Sequence, residues 1–246
     1  MHIQRGAWAE INLDAVAHNV QMAKANLKPT TKLCAVVKAD AYGHGAVRVA
    51  QEAARNGADF FAVALLQEGV KLREAGIETP ILVLGSMLPE VAEICVRYDI
   101  SHAVFDEERL YALNAAALKL HTKAKIHIKI DTGMHRIGVH VRDAGRFAKL
   151  AASLPGIYIE GVFSHFATAD ADDKQYAAYQ FERFQEALRL IEAEGVHIPI
   201  RHIANSAALT ELQEYQLDMV RQGITLYGLH PAHMIDCYKD FEPVMT

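Results

Sequence analysis

A chain of 246 residues that is 51% hydrophobic and 22% charged can bury a sizeable core, which excludes a disordered protein. A formal net charge of −5 gives no electrostatic reason to expect nucleic acid or an anionic membrane surface as a partner. The three cysteines, Cys34, Cys95 and Cys237, are widely spaced with no CxxC pair, which argues against a disulfide framework or zinc site and for a reducing, cytoplasmic setting.

The opening segment MHIQRGAWAEINLDA has no apolar h-region and does not read as a signal peptide. A short run, Ala9 to Leu13, leads into a helical stretch from Asp14 to about Leu27. Strand-like runs then alternate with segments of helical period. The first strand is Leu33 to Val37, with a helix from about Gly45 to Arg55 that stops at Asn56-Gly57. The second is Phe60 to Leu65, followed by a helix from Glu68 to Ala75. Its apolar run is far too short to span a bilayer. The third is Ile81 to Leu84, and Pro89 sits where a helix can begin. The fourth is His102 to Phe105, with Asp106 as a candidate N-cap for a helix from Glu107 to Leu120.

The fifth strand, Lys125 to Ile130, alternates Ile126, Ile128 and Ile130 with His127 and Lys129. The sixth is Tyr158 to Phe163, before a long helix from about Lys174 to Glu194. The seventh is Ile200 to Ile203, and the eighth is Met219 to Tyr227, broken near Gly223. Eight strand-helix units of this spacing imply parallel strands joined by right-handed crossovers. They fit a closed α/β (β/α)8 barrel, of the TIM type, better than an open doubly wound sheet. The expected division is residues 1–13 as an N-terminal strand segment, 14–230 as the barrel, and 231–246, which shows no clear period, as the start of a connection to an absent C-terminal domain.

In such a barrel the chemistry sits at the C-terminal ends of the strands. There the sequence places Lys38 and Tyr42, then Lys129 with Asp131 and Arg136, then Ser164 and His165. Asn205 and Ser206 follow the seventh strand, and Arg221, Gln222, Gly223 and Ile224 close the eighth. Lys38 follows Ala35-Val36-Val37, an apolar setting that favours the neutral amine a Schiff-base lysine needs. The plainer alternative is a lysine snorkelling from a strand end. Ser206 and the Gly223-Ile224 backbone suit a phosphate monoester, although Ser206 could equally be a helix N-cap. His127, His165 and His202 raise a metal-hydrolase reading, but no HxH pair closes the first strand and no acidic ligands accompany them, so no metal is expected.

Four segments, in order, resemble the alanine racemase family. They are Val36-Val37-Lys38-Ala39-Asp40-Ala41-Tyr42-Gly43-His44-Gly45, Lys129-Ile130-Asp131-Thr132-Gly133-Met134-His135-Arg136-Ile137-Gly138, Ser164-His165-Phe166-Ala167-Thr168-Ala169-Asp170, and His202 to Ser206 with Met219 to Ile224 and Tyr227-Gly228. The resemblance covers essentially the whole chain and departs mildly at Asp40, where Asn is common, and at His135, where a small residue is common. It implies a fold-type-III barrel binding pyridoxal 5′-phosphate, with Lys38 as Schiff-base lysine and acid/base group. Tyr42, Ser206, Gly223 and Ile224 would hold the phosphate, with Asn205 beside them. His165 would lie against the pyridine ring, Arg221 would face the ring nitrogen, and Arg136 would meet the substrate carboxylate. Lys129 would be a candidate for carbamylation.

The implied reaction is the interconversion of L- and D-alanine by two bases, supplying D-alanine for peptidoglycan in a cytoplasmic homodimer. By the resemblance the chain is truncated before a C-terminal β-rich domain that would supply the second base, so these residues alone would racemise weakly or not at all. The run Ala9 to Leu13 would also lose its sheet partner. The single-domain pyridoxal-phosphate homeostasis proteins share the barrel without being racemases, but lack AYGHG, DTGMxR and HFATAD in this form. A phosphate-substrate lyase or aldolase with Lys38 as nucleophile is the remaining alternative.

Overall fold

The protein is described by a computed structural model covering residue 6, residues 8–231 and residues 238–246. Residues 232–237 of the expected connection, Cys237 among them, lie outside the described residues, as do residues 1–5 and 7 of the expected N-terminal segment. The strands are β1 (Lys32–Val36), β2 (Phe60–Val63), β3 (Ile81–Val83), β4 (Ser101–Val104), β5 (Ala124–Asp131), β6 (Val139–His140), β7 (Ile157–Phe163), β8 (Ile200–His202) and β9 (Met219–Gln222). Their order is β8-β7-β5-β4-β3-β2-β1-β9, with β6 a side pairing on β5. Every pairing is parallel. At the seam the Asp218 N–H donates to the Arg201 carbonyl and the Arg221 N–H to the Ala204 carbonyl, both at 3.1 Å. The eight strands other than β6 therefore form a (β/α)8 barrel.

The alternation along each strand divides two cores. On β5, Ile126, Ile128 and Ile130 are fully buried in the layer between barrel and helices. His127 and Lys129, between them, turn into the barrel. On β1, Leu33, Ala35 and Val37 join the outer layer, while Cys34 and Val36 join a smaller inner cluster with Phe60, Ala62, Leu82, Ile200 and Met219. A side chain of this size contributes roughly 1.5–3 kcal/mol on burial, so the outer layer dominates the hydrophobic stabilisation. Burial also raises the Cys34 and Cys95 thiols to about 12, which leaves both inert.

Local chemistry accounts for the helix boundaries. The Asn12 side chain accepts the Asp14 and Ala15 N–H groups and starts the helix Leu13–Ala25. Asp106 accepts the Arg109 N–H at 3.0 Å and starts Glu107–Lys119, as the sequence predicts. Pro89 opens a single 3-10 turn, and the α-helix itself begins at Ala92.

Four elements depart from the sequence reading. The eighth strand ends at Gln222, because from Gly223 the chain turns into a 3-10 segment, Ile224–Tyr227, whose backbone faces Ser206. Helix Ala144–Ser153 and β6 fill an interval for which the sequence offered no boundaries. The run Ala9 to Leu13 is not a full strand, since only Ile11 bridges a partner and Leu13 is already helical. Nor is that run unpaired: Ile11 pairs antiparallel with Met245, and the Asn12 N–H donates to the Val244 carbonyl at 2.8 Å. The segment 238–246 packs on the barrel with Phe241 and Val244 buried, and the Asn19 amide exchanges hydrogen bonds with both backbone groups of Glu242 at 2.8 Å.

Candidate functional site

The C-terminal ends of the strands surround a cavity of about 560 Å³. The ten residues given a role by the resemblance line it: Lys38, Tyr42, Lys129, Arg136, His165, Asn205, Ser206, Arg221, Gly223 and Ile224, whereas Asp131, Ser164 and Gln222, also expected at the rim, do not.

Lys38 leaves β1 and is half-buried, with its Nζ 5.7 Å from the centroid of the Tyr42 ring. The segment between them is unusual. Ala39, Asp40, Ala41 and Tyr42 all have φ between 51° and 57°, one left-handed turn made without glycine. Each such residue costs roughly 1–2 kcal/mol, so the turn needs support. The Gly43 N–H donates to the Ala39 and Asp40 carbonyls, and Gly45, at φ +87°, donates to Asp40. The Asp40 carboxylate accepts the Ala46 N–H and pairs with Lys71, both at 3.1 Å. Those two contacts, the backbone donor first, hold its pKa below the usual carboxylate range. The Glu68 carboxylate completes the support by accepting N–H groups from Ala39 at 2.6 Å, Ala64 at 2.8 Å and Leu65 at 2.9 Å.

Across the cavity Ser206 does not cap its helix. That role belongs to Asn205, whose Oδ1 accepts the Ala208 N–H at 3.1 Å. The Ser206 hydroxyl, 5% exposed, instead accepts the Gly223 N–H at 2.8 Å and stands 3.3 Å from Thr225 Oγ1. A Cβ built on Gly223 would lie 3.5 Å from Ser206 Oγ and 3.6 Å from Tyr42 Oη. Two hydroxyls and a run of backbone N–H groups thus converge on one small space, as a phosphate requires. Burial raises the Tyr42 pKa, keeping its hydroxyl a neutral donor.

Arg221 is 3% exposed, and its Nη1 and Nη2 bond to His202 Nδ1 at 2.5 Å, Ser164 O at 2.8 Å, His165 Nδ1 at 3.1 Å and Ile203 O at 3.1 Å. Burial lowers its pKa to about 10, which still leaves it charged at neutral pH. Because a guanidinium only donates, both histidines must accept at Nδ1 and are therefore neutral. Burial and then the Arg221 charge push both histidines well below the ordinary imidazole range. Lys129 is buried with its Nζ 4.9 Å from the Phe163 ring centroid. Burial first, then the charges of Arg221 and Arg136, hold its amine well below the usual lysine range. Arg136 is exposed at the rim, reached through the loop where the Asp131 carboxylate accepts the Gly133 and His135 N–H groups at 3.0 Å. His135 has φ 53°, in the left-handed region that residues with a side chain rarely adopt.

The sequence did not single out Thr225, Glu68 or Glu160. The first lay hidden in an expected strand, and the other two belong to different units from the residues they support. His127 and His202, noted as candidate metal ligands, are instead bonded to each other at 2.8 Å.

A parallel eight-stranded barrel with a lysine after β1, an anion cradle after β8 and β9 and a buried arginine between them defines the class: a (β/α)8 barrel protein with its site at the strand C-termini. The family model for "Alanine racemase, N-terminal domain" matches residues 11–231. The chain is 46% identical over 241 residues to an alanine racemase of Desulfovibrio desulfuricans, covering 98% of this chain and 65% of that protein. It is 45% identical over 244 residues to one of Halothermothrix orenii, covering 99% and 64%. Among solved structures, alanine racemase of Clostridium difficile 630 in complex with cycloserine superposes with a TM-score of 0.95 at 39% identity, covering 99% of this chain and 68% of that one. The Bacillus anthracis enzyme with bound L-Ala-P gives 0.92 at 36% identity, covering 100% and 64%. The chain belongs to the alanine racemase N-terminal domain family. It spans a little under two thirds of the length of these curated relatives.

Proposed function

We propose that this chain is the cofactor-bearing part of an alanine racemase that binds pyridoxal 5′-phosphate and interconverts L- and D-alanine, supplying D-alanine for peptidoglycan. The observation that carries the reading is the convergence of Ser206, Tyr42 and the Gly223 backbone on one anion-sized space in the same cavity as Lys38. That donor set fits the cofactor's phosphate, and a lysine amine fits its aldehyde. When bound, pyridoxal phosphate supplies an electron sink for a carbanion at the amino-acid Cα.

The residues divide the remaining work. Tyr42, Ser206, Gly223 and Ile224 would hold the phosphate, with Asn205 fixing the helix end beside it. Lys38 would hold the cofactor and move a proton on one face of Cα. His165, neutral, would pack on the ring. Arg221, which only donates, would keep a ring nitrogen that it faces unprotonated and so disfavour transamination. Arg136 would receive the substrate carboxylate, and Lys129 would orient Arg136, more strongly once carbamylated.

Racemisation needs a base on each face, and we assign the second to the part of the relatives' length that this chain does not span, contributed across a homodimer in the cytoplasm. Residues 1–246 alone are then expected to bind the cofactor yet to racemise alanine weakly. Turnover at the level of a complete relative by the purified chain would overturn this division, and failure to bind pyridoxal phosphate would overturn the reading as a whole.

A further inference from the structure

Below the cavity the barrel interior holds a polar chain that starts at Arg221 and ends at Glu160. His202 accepts from Arg221 at Nδ1, so its own proton sits on Nε2 and is donated to His127 Nδ1 at 2.8 Å. His127 then carries its proton on Nε2 and donates to Glu160 Oε2 at 3.0 Å. That carboxylate also accepts the Ser101 hydroxyl at 2.5 Å. The polarity of this chain is fixed at both ends, because a guanidinium has nothing to accept with and a carboxylate nothing to donate.

The backbone is shaped around it. The β5–β7 register shifts between Ile126 and His127, which face Ile159 and Gly161, so Glu160 is the extra residue of a bulge. Gly161 is required there, since a Cβ would sit 2.4 Å from His127 Nδ1. Phe163 stacks on the His202 ring at 4.9 Å and 3°, fixing the plane from which Arg221 is held. Among the described residues every hydrogen bond of Arg221 goes to a neutral acceptor, and no carboxylate lies within ion-pair distance of it. The negative charge on its hydrogen-bonded network is that of Glu160, two imidazoles away.

We propose that Glu160 is a remote positioning residue for Arg221, acting through His127 and His202 to fix the guanidinium's orientation and supply its counter-charge. The inference rests on the reading of Arg221 as the residue facing the cofactor's ring nitrogen.

The test compares the wild-type chain with Glu160→Leu, which removes acceptor and charge, and Glu160→Gln, which keeps an acceptor and should preserve the fold. Imidazole-nitrogen NMR without ligand is expected to show both wild-type histidines protonated at Nε2, with slowly exchanging protons. In Glu160→Leu the His127 Nε2 proton should exchange about tenfold faster or be lost, the His202 signals should shift, and the Kd for pyridoxal phosphate should rise by about tenfold. Glu160→Gln should move the same signals less and raise the Kd by about threefold. Lower thermal stability with unchanged His202 signals and unchanged Kd would mark a merely structural role and overturn the proposal, as would unchanged signals in Glu160→Gln if the leucine variant fails to fold. A wild-type chain that binds no pyridoxal phosphate would instead overturn the functional reading, while the NMR comparison would still decide whether the relay operates.

Discussion

Lys129 is buried and, among the described residues, forms no ion pair with a carboxylate; it lies above the Phe163 ring and close enough to two arginines for their charges to lower its pKa. A neutral amine there is nucleophilic toward carbon dioxide, and the carbamate formed, with loss of one proton, would set an anion where the charges of Arg221 and Arg136 are felt. Intact-mass measurement of the native chain in bicarbonate is expected to show one added CO₂, absent in Lys129→Ala; no adduct in the wild type would contradict this. Ser206 supports a second prediction. Its hydroxyl accepts the Gly223 N–H in a buried setting, so Ser206→Ala leaves that donor unsatisfied at a cost of about 1–3 kcal/mol. The variant should lose about tenfold in affinity for pyridoxal phosphate but little for pyridoxal, which lacks the phosphate. Equal losses for both would remove Ser206 from the phosphate cradle. Both residues were legible in the sequence because a barrel rim selects them by position. The capping role was less so: Asn205 and Ser206 are adjacent N-cap residue types, and only the backbone shows that Asn205 caps while Ser206 turns to Gly223.

At the scale of elements, the left-handed turn from Ala39 to Tyr42 decides where Lys38 and Tyr42 point. Alanine has no local preference for that conformation, so nothing in Lys38-Ala39-Asp40-Ala41-Tyr42 disclosed it. The support comes from Glu68, in the next strand-helix unit, which clamps the loops after β1 and β2 through three backbone N–H groups. Glu68→Ala is expected to destabilise the chain by about 2–3 kcal/mol and to accelerate amide exchange selectively between Ala39 and Gly45. Uniform acceleration across the barrel would argue against a local clamp. The bulge at Glu160 was equally hidden, because Ile157 to Phe163 reads as an uninterrupted strand.

For the whole molecule, the recurrence of eight strand-like runs was plain in the sequence, since most are followed by a segment of helical period. The interval from Val139 to Ser153 carries a helical stripe as well, Ala144, Phe147, Ala148 and Ala151, but three of its four residues are alanine, which gives little contrast with a buried loop. The barrel also has an acid limit written into its interior. Burial lowers His102 from 6.5 to about 4 and holds His165 and His202 well below 6.5. Unfolding frees these rings to take protons, so the unfolded chain binds more protons below about pH 6.5 and stability falls as pH drops through that value. His102 alone withdraws on the order of 3 kcal/mol by pH 4. The carboxylates of Glu160 and Asp218, stabilised as anions by His127 and Arg201 respectively despite burial, add their loss only below the ordinary carboxylate range. The urea midpoint should therefore decline between pH 7 and pH 5, and a flat profile over that interval would contradict the assignment of three neutral buried histidines.

The central claim is that Lys38 carries pyridoxal phosphate in the cavity at the end of β1. Its direct test is borohydride reduction of the chain incubated with pyridoxal phosphate, followed by mapping of the modified peptide. The expected result is a single phosphopyridoxyl group on Lys38, with loss of the visible absorbance in Lys38→Ala. Modification confined to Lys129 or surface lysines, or visible absorbance unchanged in Lys38→Ala, would contradict it.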